Sequence, residues 1–147
     1  MRTLDERVML GIAALGIILA LYSVYLHYTP EESHVCNLSE TFNCDAVNKS
    51  QYSVFMGIPV AILGTLAYLA VFLVLLKHKR IMRWLDFTDT DFWQYLTIIA
   101  LFMFLFQSYL TMTEFLFIKA YCVVCLMSQA STTALLALAA RRRFHRP

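Results

Sequence analysis

The chain has 147 residues, of which 60% are apolar and 15% charged, with a formal net charge of +2. Soluble domains carry about 25% charged residues, so this composition excludes an ordinary water-soluble domain. A length of this order suits one domain, here residues 1–147. A charge so close to balance carries no nucleic-acid signature.

In chain order, four apolar stretches are expected to be helices: Val8–His27, Val54–Leu76, Phe92–Met112 and Ala120–Ala140. Each has about 20 residues, which a helix rising ~1.5 Å per residue needs to cross ~30 Å of hydrocarbon. Lipid offers the backbone no hydrogen-bonding partners, so helices are the conformation that satisfies it. The expected fold is an all-α integral membrane protein, a four-transmembrane-helix bundle. The first stretch is long for a signal peptide and lacks a small-residue cleavage signature, so it reads as a mature span.

Lys and Arg orient the spans. Arg2 and Arg7 precede the first, Lys77, Lys79, Arg80 and Arg83 lie between the second and third, and Arg141, Arg142, Arg143 and Arg146 follow the fourth. The other two connections hold only Lys49 and Lys119. Both termini and the middle connection are therefore expected on the cytoplasmic side, with the basic tail as a topology anchor. The connections over residues 28–53 and Met112–Lys119 are expected outside. That places the chain in the cytoplasmic (inner) membrane, or in the endoplasmic reticulum membrane of a eukaryote. Trp84 and Trp93 fit an inner interfacial belt, and Tyr22, Tyr25 and Tyr28 an outer one.

This orientation puts all four cysteines in one compartment. Cys36 and Cys44 fall in the outward loop, Cys122 and Cys125 at the outward end of the fourth helix. Disulfides persist outside the cytoplasm and are kept reduced within it. A Cys-X-X-Cys at a helix start has redox spacing on one helix face, and the helix dipole favours its thiolate. Lys119, one turn earlier, would add positive charge. Three other readings remain: thiols used as small packing residues, a structural disulfide in the loop, and a zinc site. Zinc sites pair closely spaced cysteines, whereas here one pair is wide and the other partly in the membrane, so no metal is expected. Two dithiols on one side suggest a relay through mixed disulfides, its outer pair meeting a soluble partner and its embedded pair a lipid-soluble one. A quinone, which takes two electrons, fits the second role.

Several positions around these pairs have readings of their own. Gln129, one turn beyond Cys125, and Gln107, at comparable depth in the third helix, would either bridge helices or bind a quinone carbonyl. Gly57, Ala61 and Gly64 form a small-residue stripe for close helix packing, and Pro59 suits a first helical turn. His27 and His34 read as outer loop residues, and Glu114 as isolated and solvated. Asn37–Ser39 and Asn48–Ser50 match the glycosylation sequon, but a glycan there would obstruct the redox residues, so neither is expected to be used.

Three motifs resemble the vitamin K epoxide reductase family, specifically its bacterial quinone-coupled, disulfide-forming branch. They are Cys36-x7-Cys44-Asp45-Ala46-Val47 with Ser50-x-Tyr52, Phe55-Met56-Gly57-Ile58-Pro59, and Tyr121-Cys122-Val123-Val124-Cys125-Leu126-Met127-Ser128. The order, loop pair first and Cys-X-X-Cys last, belongs to the same pattern. The resemblance implies a four-helix bundle around a quinone of the ubiquinone, menaquinone or vitamin K type. An outward loop with a short half-helix, Cys44 to Lys49, would cap that pocket. It also implies that Cys122 and Cys125 are the active pair, Cys125 nearer the ring. Cys44 would exchange with Cys122, and Cys36 with a thioredoxin-like protein. Ser50 would help orient the quinone or thiolate. Many bacterial relatives carry a fused thioredoxin-like domain; this sequence ends at Pro147, so a separate partner is expected. Gln129 stands where vertebrate members have a tyrosine, which weighs against vitamin K epoxide reduction. The expected activity is therefore quinone-dependent thiol–disulfide oxidation. Epoxide reduction by the same machinery and a non-catalytic scaffold with structural disulfides are the alternatives.

Overall fold

A threonine opens the first helix: Thr3 caps α1 (Leu4–Tyr28) by accepting the Glu6 N–H, and Asp5 and Glu6 complement the dipole. The computed structural model describes residues 3–30, 36–37, 39–86 and 88–144; Arg2, His34 and Arg146, and the Leu38 of the first sequon, lie outside them. The half-helix α2 (Cys44–Asn48) is capped by Asn43, and a 3₁₀ turn (Gln51–Ser53) follows. A small hairpin pairs β1 (Val54–Phe55) with β2 (Ile58–Pro59). Then come α3 (Val60–Leu76), α4 (His78–Leu85), α5 (Asp89–Thr113) with a π-helical extension (Glu114–Ile118), and α6 (Val123–Phe144).

α1, α5 with its extension, and α6 are each long and apolar enough to cross a membrane. The 17 residues of α3 are also predominantly apolar and carry no charge, and they extend about 25 Å. The chain then bends by 78° into α4, which carries His78, Lys79, Arg80 and Arg83 and exposes Trp84. Such a basic, aromatic helix suits the lipid–water boundary. The protein is thus an all-α, multi-pass membrane protein.

Two expectations for the second span are corrected. Its helix begins at Val60, not Val54, because Met56 and Gly57 both take positive φ (52° and 83°) and close a two-residue hairpin. Paired positive φ is the geometry that matches strand twist in such turns, and glycine adopts it without Cβ strain. Gly57 therefore serves the turn rather than a helical packing stripe, and Pro59 stands before the first turn of α3, not in it.

α1 packs against α3 and α6, and α5 against α6. The inner core gathers Met9, Ala13, Tyr68, Val71, Leu75, Trp93, Leu96, Leu135 and Ala139. Trp93 is 0% exposed, donates to Asp89 Oδ2 at 3.2 Å and lies under the Arg142 guanidinium. It is a core residue and not, as expected, part of a belt; Trp84, 84% exposed, fits that role. Tyr25 and Tyr28 are exposed at the far end of α1, while Tyr22 packs inward. Arg142 also binds Asp5 at 2.9 Å, and His78 meets the Glu6 and Asp89 carboxylates at 3.6 and 3.2 Å. The basic residues thus close one end of the bundle, leaving the cysteines at the other.

Tyr68 crosses the centre of the bundle. Its hydroxyl bonds Ser128 O at 2.8 Å and Thr132 Oγ1 at 2.6 Å, and its ring lies flat against Gly16, where any Cβ would overlap it. Gly16→Ala is accordingly expected to destabilise the bundle by about 1–3 kcal/mol through overpacking. Unfolding by titration with sodium dodecyl sulfate measures this, and an unchanged midpoint refutes it.

Candidate functional site

The loop between α1 and α2 is held against the start of α6 by its backbone. Phe42 and Tyr121 form a short parallel bridge, in which Tyr121 N–H donates to Thr41 O at 2.7 Å and Asn43 N–H to Tyr121 O at 3.1 Å. Asn37 Nδ2 donates to Asp45 Oδ2 at 2.7 Å, tying the Cys36 segment to the half-helix. These bonds set the register that brings two distant stretches of chain together. Cys36 and Cys44 are joined in a disulfide, with Cα atoms 5.6 Å apart, and Cys122 and Cys125 are free thiols. The sulfurs of Cys36, Cys44 and Cys122 all lie within 4.8 Å of one another, buried. Three thiolates so placed could ligate a soft metal, but a disulfide offers no thiolate charge. The arrangement instead suits exchange.

Cys122 sits one residue ahead of α6, in the capping position. Its Sγ accepts the Cys125 N–H at 3.2 Å and faces Asn48 Nδ2 at 3.6 Å. Its thiol is held below the ordinary cysteine range, first by hydrogen bonding from the Cys125 side chain and then from its N–H and Asn48. These outweigh burial and the nearby Glu114 carboxylate. Lys119 is exposed, with left-handed backbone; the charged group next to Cys122 is an acid, not the expected lysine.

Cys125, one turn on, lines a cavity of about 450 Å³ between α3 and α5. Among the described residues these two helices scarcely touch each other, and Phe102, Met103 and Phe106 of α5 face Ala61, Gly64 and Ala67 of α3 across it. The walls are mostly apolar, with polar groups including Ser50, Gln107 and Glu114 among them. The two thiols of the pair thus face different surroundings: Cys122 the loop disulfide, Cys125 the cavity.

Ser50 lines this cavity and donates its hydroxyl to Val47 O at 2.8 Å. Gln107 lines it as well, donating to Cys125 O at 3.4 Å and accepting from Thr132 at 3.0 Å. Gln129 is not among the lining residues; it bridges helices by donating to Ser108 Oγ at 3.0 Å.

Three residues near the thiols had no such reading in the sequence. Glu114, expected to be solvated, is 3% exposed; it accepts the Cys122 N–H at 3.1 Å and borders the cavity. The reason is that α5 does not end at Met112 but runs on as a π-helix to Ile118, carrying the carboxylate under the loop. Its signal in the sequence was a lone acid in an apolar run. Asn48 is buried, with its amide donating to Cys44 O at 2.9 Å; its place one turn after Cys44 on the same face was the available sign. His27 belongs to α1, meets Asn48 O through Nδ1 at 2.6 Å and also lines the cavity.

The loop disulfide and the Cys122–Cys125 pair stand together at one end of the helices. The profile of the vitamin K epoxide reductase family matches residues 7–140. The chain belongs to that family. Membership makes it an oxidoreductase of a quinone-linked membrane family whose members work with thiols and thioredoxin-like partners. No curated protein matches the chain.

Proposed function

We propose that the protein is a quinone-dependent thiol oxidase with four spans, α3 supplying the second. It takes electrons from a separate thioredoxin-like protein and thereby supports disulfide formation outside the cytoplasm. The observation that carries this reading is the division of labour between the thiols. Cys122 lies within 4.8 Å of both loop sulfurs, while Cys125 faces the cavity. Both termini and α4 lie on the cytoplasmic side, following the Lys and Arg bias.

The cavity fits a quinone headgroup in its apolar walls and in polar groups such as Ser50 and Gln107, which line it together with Cys125. When bound, the quinone supplies the sink for two electrons and two protons. The protein's part is a sequence of exchanges. A partner thiolate attacks Cys36, breaking Cys36–Cys44, and the partner's second thiol resolves the mixed disulfide, leaving the partner oxidised and the loop pair reduced. Cys44 then attacks Cys122, breaking Cys122–Cys125, and Cys36 displaces Cys122 to restore the loop disulfide. The Cys122–Cys125 dithiol that remains gives up two electrons and two protons as its own disulfide reforms. A loop disulfide beside two free thiols corresponds to the stage just before that last step.

The test is quinol formation by the purified protein in nanodiscs, followed by absorbance, with a reduced thioredoxin-like donor. One quinol per donor disulfide is expected. No quinone consumption above a protein-free control would refute the proposal, and reduction of the epoxide in place of quinone would move the protein to the other activity of its family.

A further inference from the structure

Buried acids in apolar surroundings are costly, and a chain keeps one there only if something compensates its charge or uses its proton. Glu114 is such an acid. It stands at the first residue of the π-helical turn, a distortion frequent at functional sites. Its Oε2 accepts the Cys122 N–H at the start of α6, where helix polarity favours negative charge. Glu114 and Cys125 line the same cavity, so the carboxylate lies beside both thiols of the pair. Glu114 and the Cys122 sulfur thus share one helix start, and each makes negative charge on the other less favourable.

From this we infer that Glu114 is a catalytic residue: it takes the proton of the Cys125 thiol as that sulfur reacts and delivers it to the acceptor in the cavity. This rests on the thiol-oxidase reading above. The balance is complete. Cys122 reacts as thiolate, its proton having gone to solvent at the outward end. Cys125 loses its proton to Glu114. The new Cys122–Cys125 bond releases two electrons to the quinone, which gains one proton from Glu114 and one from solvent to become quinol. Glu114 ends as it began, ionised. The backbone bond to Cys122 keeps the carboxylate in place through both transfers.

The titratable groups on the elements packed around Glu114 are few. α6 brings Cys122 and Cys125, the end of α1 brings His27 on the cavity wall, α2 brings Asp45, paired with Lys49 at 3.6 Å, and Tyr52 and Tyr121 pack on Phe117 and Phe115 of the π-helical turn. Of these, Cys122 donates its N–H to the carboxylate, and Cys125 shares the cavity wall with it.

The experiment is a single turnover. Protein reduced at Cys122 and Cys125 is mixed with a short-chain ubiquinone analogue between pH 5.5 and 9, comparing wild type with Glu114→Gln. Glutamine still accepts the Cys122 N–H but takes no proton. The expected result is a rate about 100-fold lower near neutral pH. Below the thiol's own ionisation the variant's rate should also rise about tenfold per pH unit, because Cys125 must then ionise unaided. Wild type should instead rise only until Glu114 is ionised and then level off. Glu114→Asp, which keeps a carboxylate, should retain the wild-type profile where Glu114→Ala acquires the steep one. A Gln variant with the wild-type rate and profile overturns the role of Glu114, as do identical profiles for the Asp and Ala variants. Absence of quinol with wild type is a separate outcome: it overturns the thiol-oxidase reading, and this inference with it.

Discussion

Cys125→Ala should abolish quinol formation while leaving the bundle folded. Cys125 supplies the sulfur on the cavity wall, and no other described cysteine lines that space. Removing a reacting nucleophile costs on the order of 10⁴-fold or more in turnover. The structural cost is small by comparison, because alanine keeps most of the volume at a half-buried helical position and surroundings of this kind lose about 1 kcal/mol. A second readout comes from the loop. With Cys125 absent, Cys122 can exchange with Cys44 but cannot be resolved from within its own pair. Cys36 returns any Cys44–Cys122 bond to the loop disulfide, so Cys122 should remain a free thiol that reacts with a maleimide even after incubation with quinone. Stopped-flow absorbance measures the first effect and gel shift after maleimide labelling the second. Quinone reduction at the wild-type rate in this variant would end the mechanism.

Cys44→Ala separates the relay from the chemistry in the cavity. Cys44 is buried beside Cys122, so its loss cuts the route from any protein donor to the embedded pair. Turnover with a reduced thioredoxin-like donor is expected to fall by about 10³-fold or more. A single turnover started from chemically reduced Cys122 and Cys125 should stay within a few-fold of wild type. Loss of the disulfide would normally cost about 2–4 kcal/mol. Here the loop retains the Phe42–Tyr121 bridge and the Asn37–Asp45 bond, so the site should survive. Wild-type turnover with the protein donor would show that electrons reach Cys122 by another path. A scaffold with structural disulfides predicts the opposite pattern: damaged folding and no change in any reaction.

Much of this was legible from local pattern. An apolar run of membrane length must become a helix wherever water is absent, so the α-helical membrane class followed from composition alone. The half-helix was placed by the family resemblance, and the structure shows that Asn43 caps it. The Cys-X-X-Cys could be placed because i, i+3 spacing means one face, and Cys122 does occupy the helix start. Boundaries were less legible: the hairpin at Met56–Gly57 shortened α3 at its start, and α5 outran its apolar stretch. Trp93 illustrates a limit of composition. A tryptophan near the end of a span fits a lipid boundary equally well whether it faces out or in, and only the packing of Phe92, His78 and Arg142 around it decides.

By itself the sequence determined the membrane class, the spacing within each cysteine pair and the bias of basic residues to one end. Each of these depends on neighbours along the chain or on bulk transfer between water and lipid. Tertiary structure decided that Cys122 meets the loop sulfurs while Cys125 meets the cavity, that α3 and α5 stand apart, and that Glu114 lies beside both thiols. Those facts join residues many positions apart, and they depend on helix register and loop pairing, to which one-dimensional periodicity is blind.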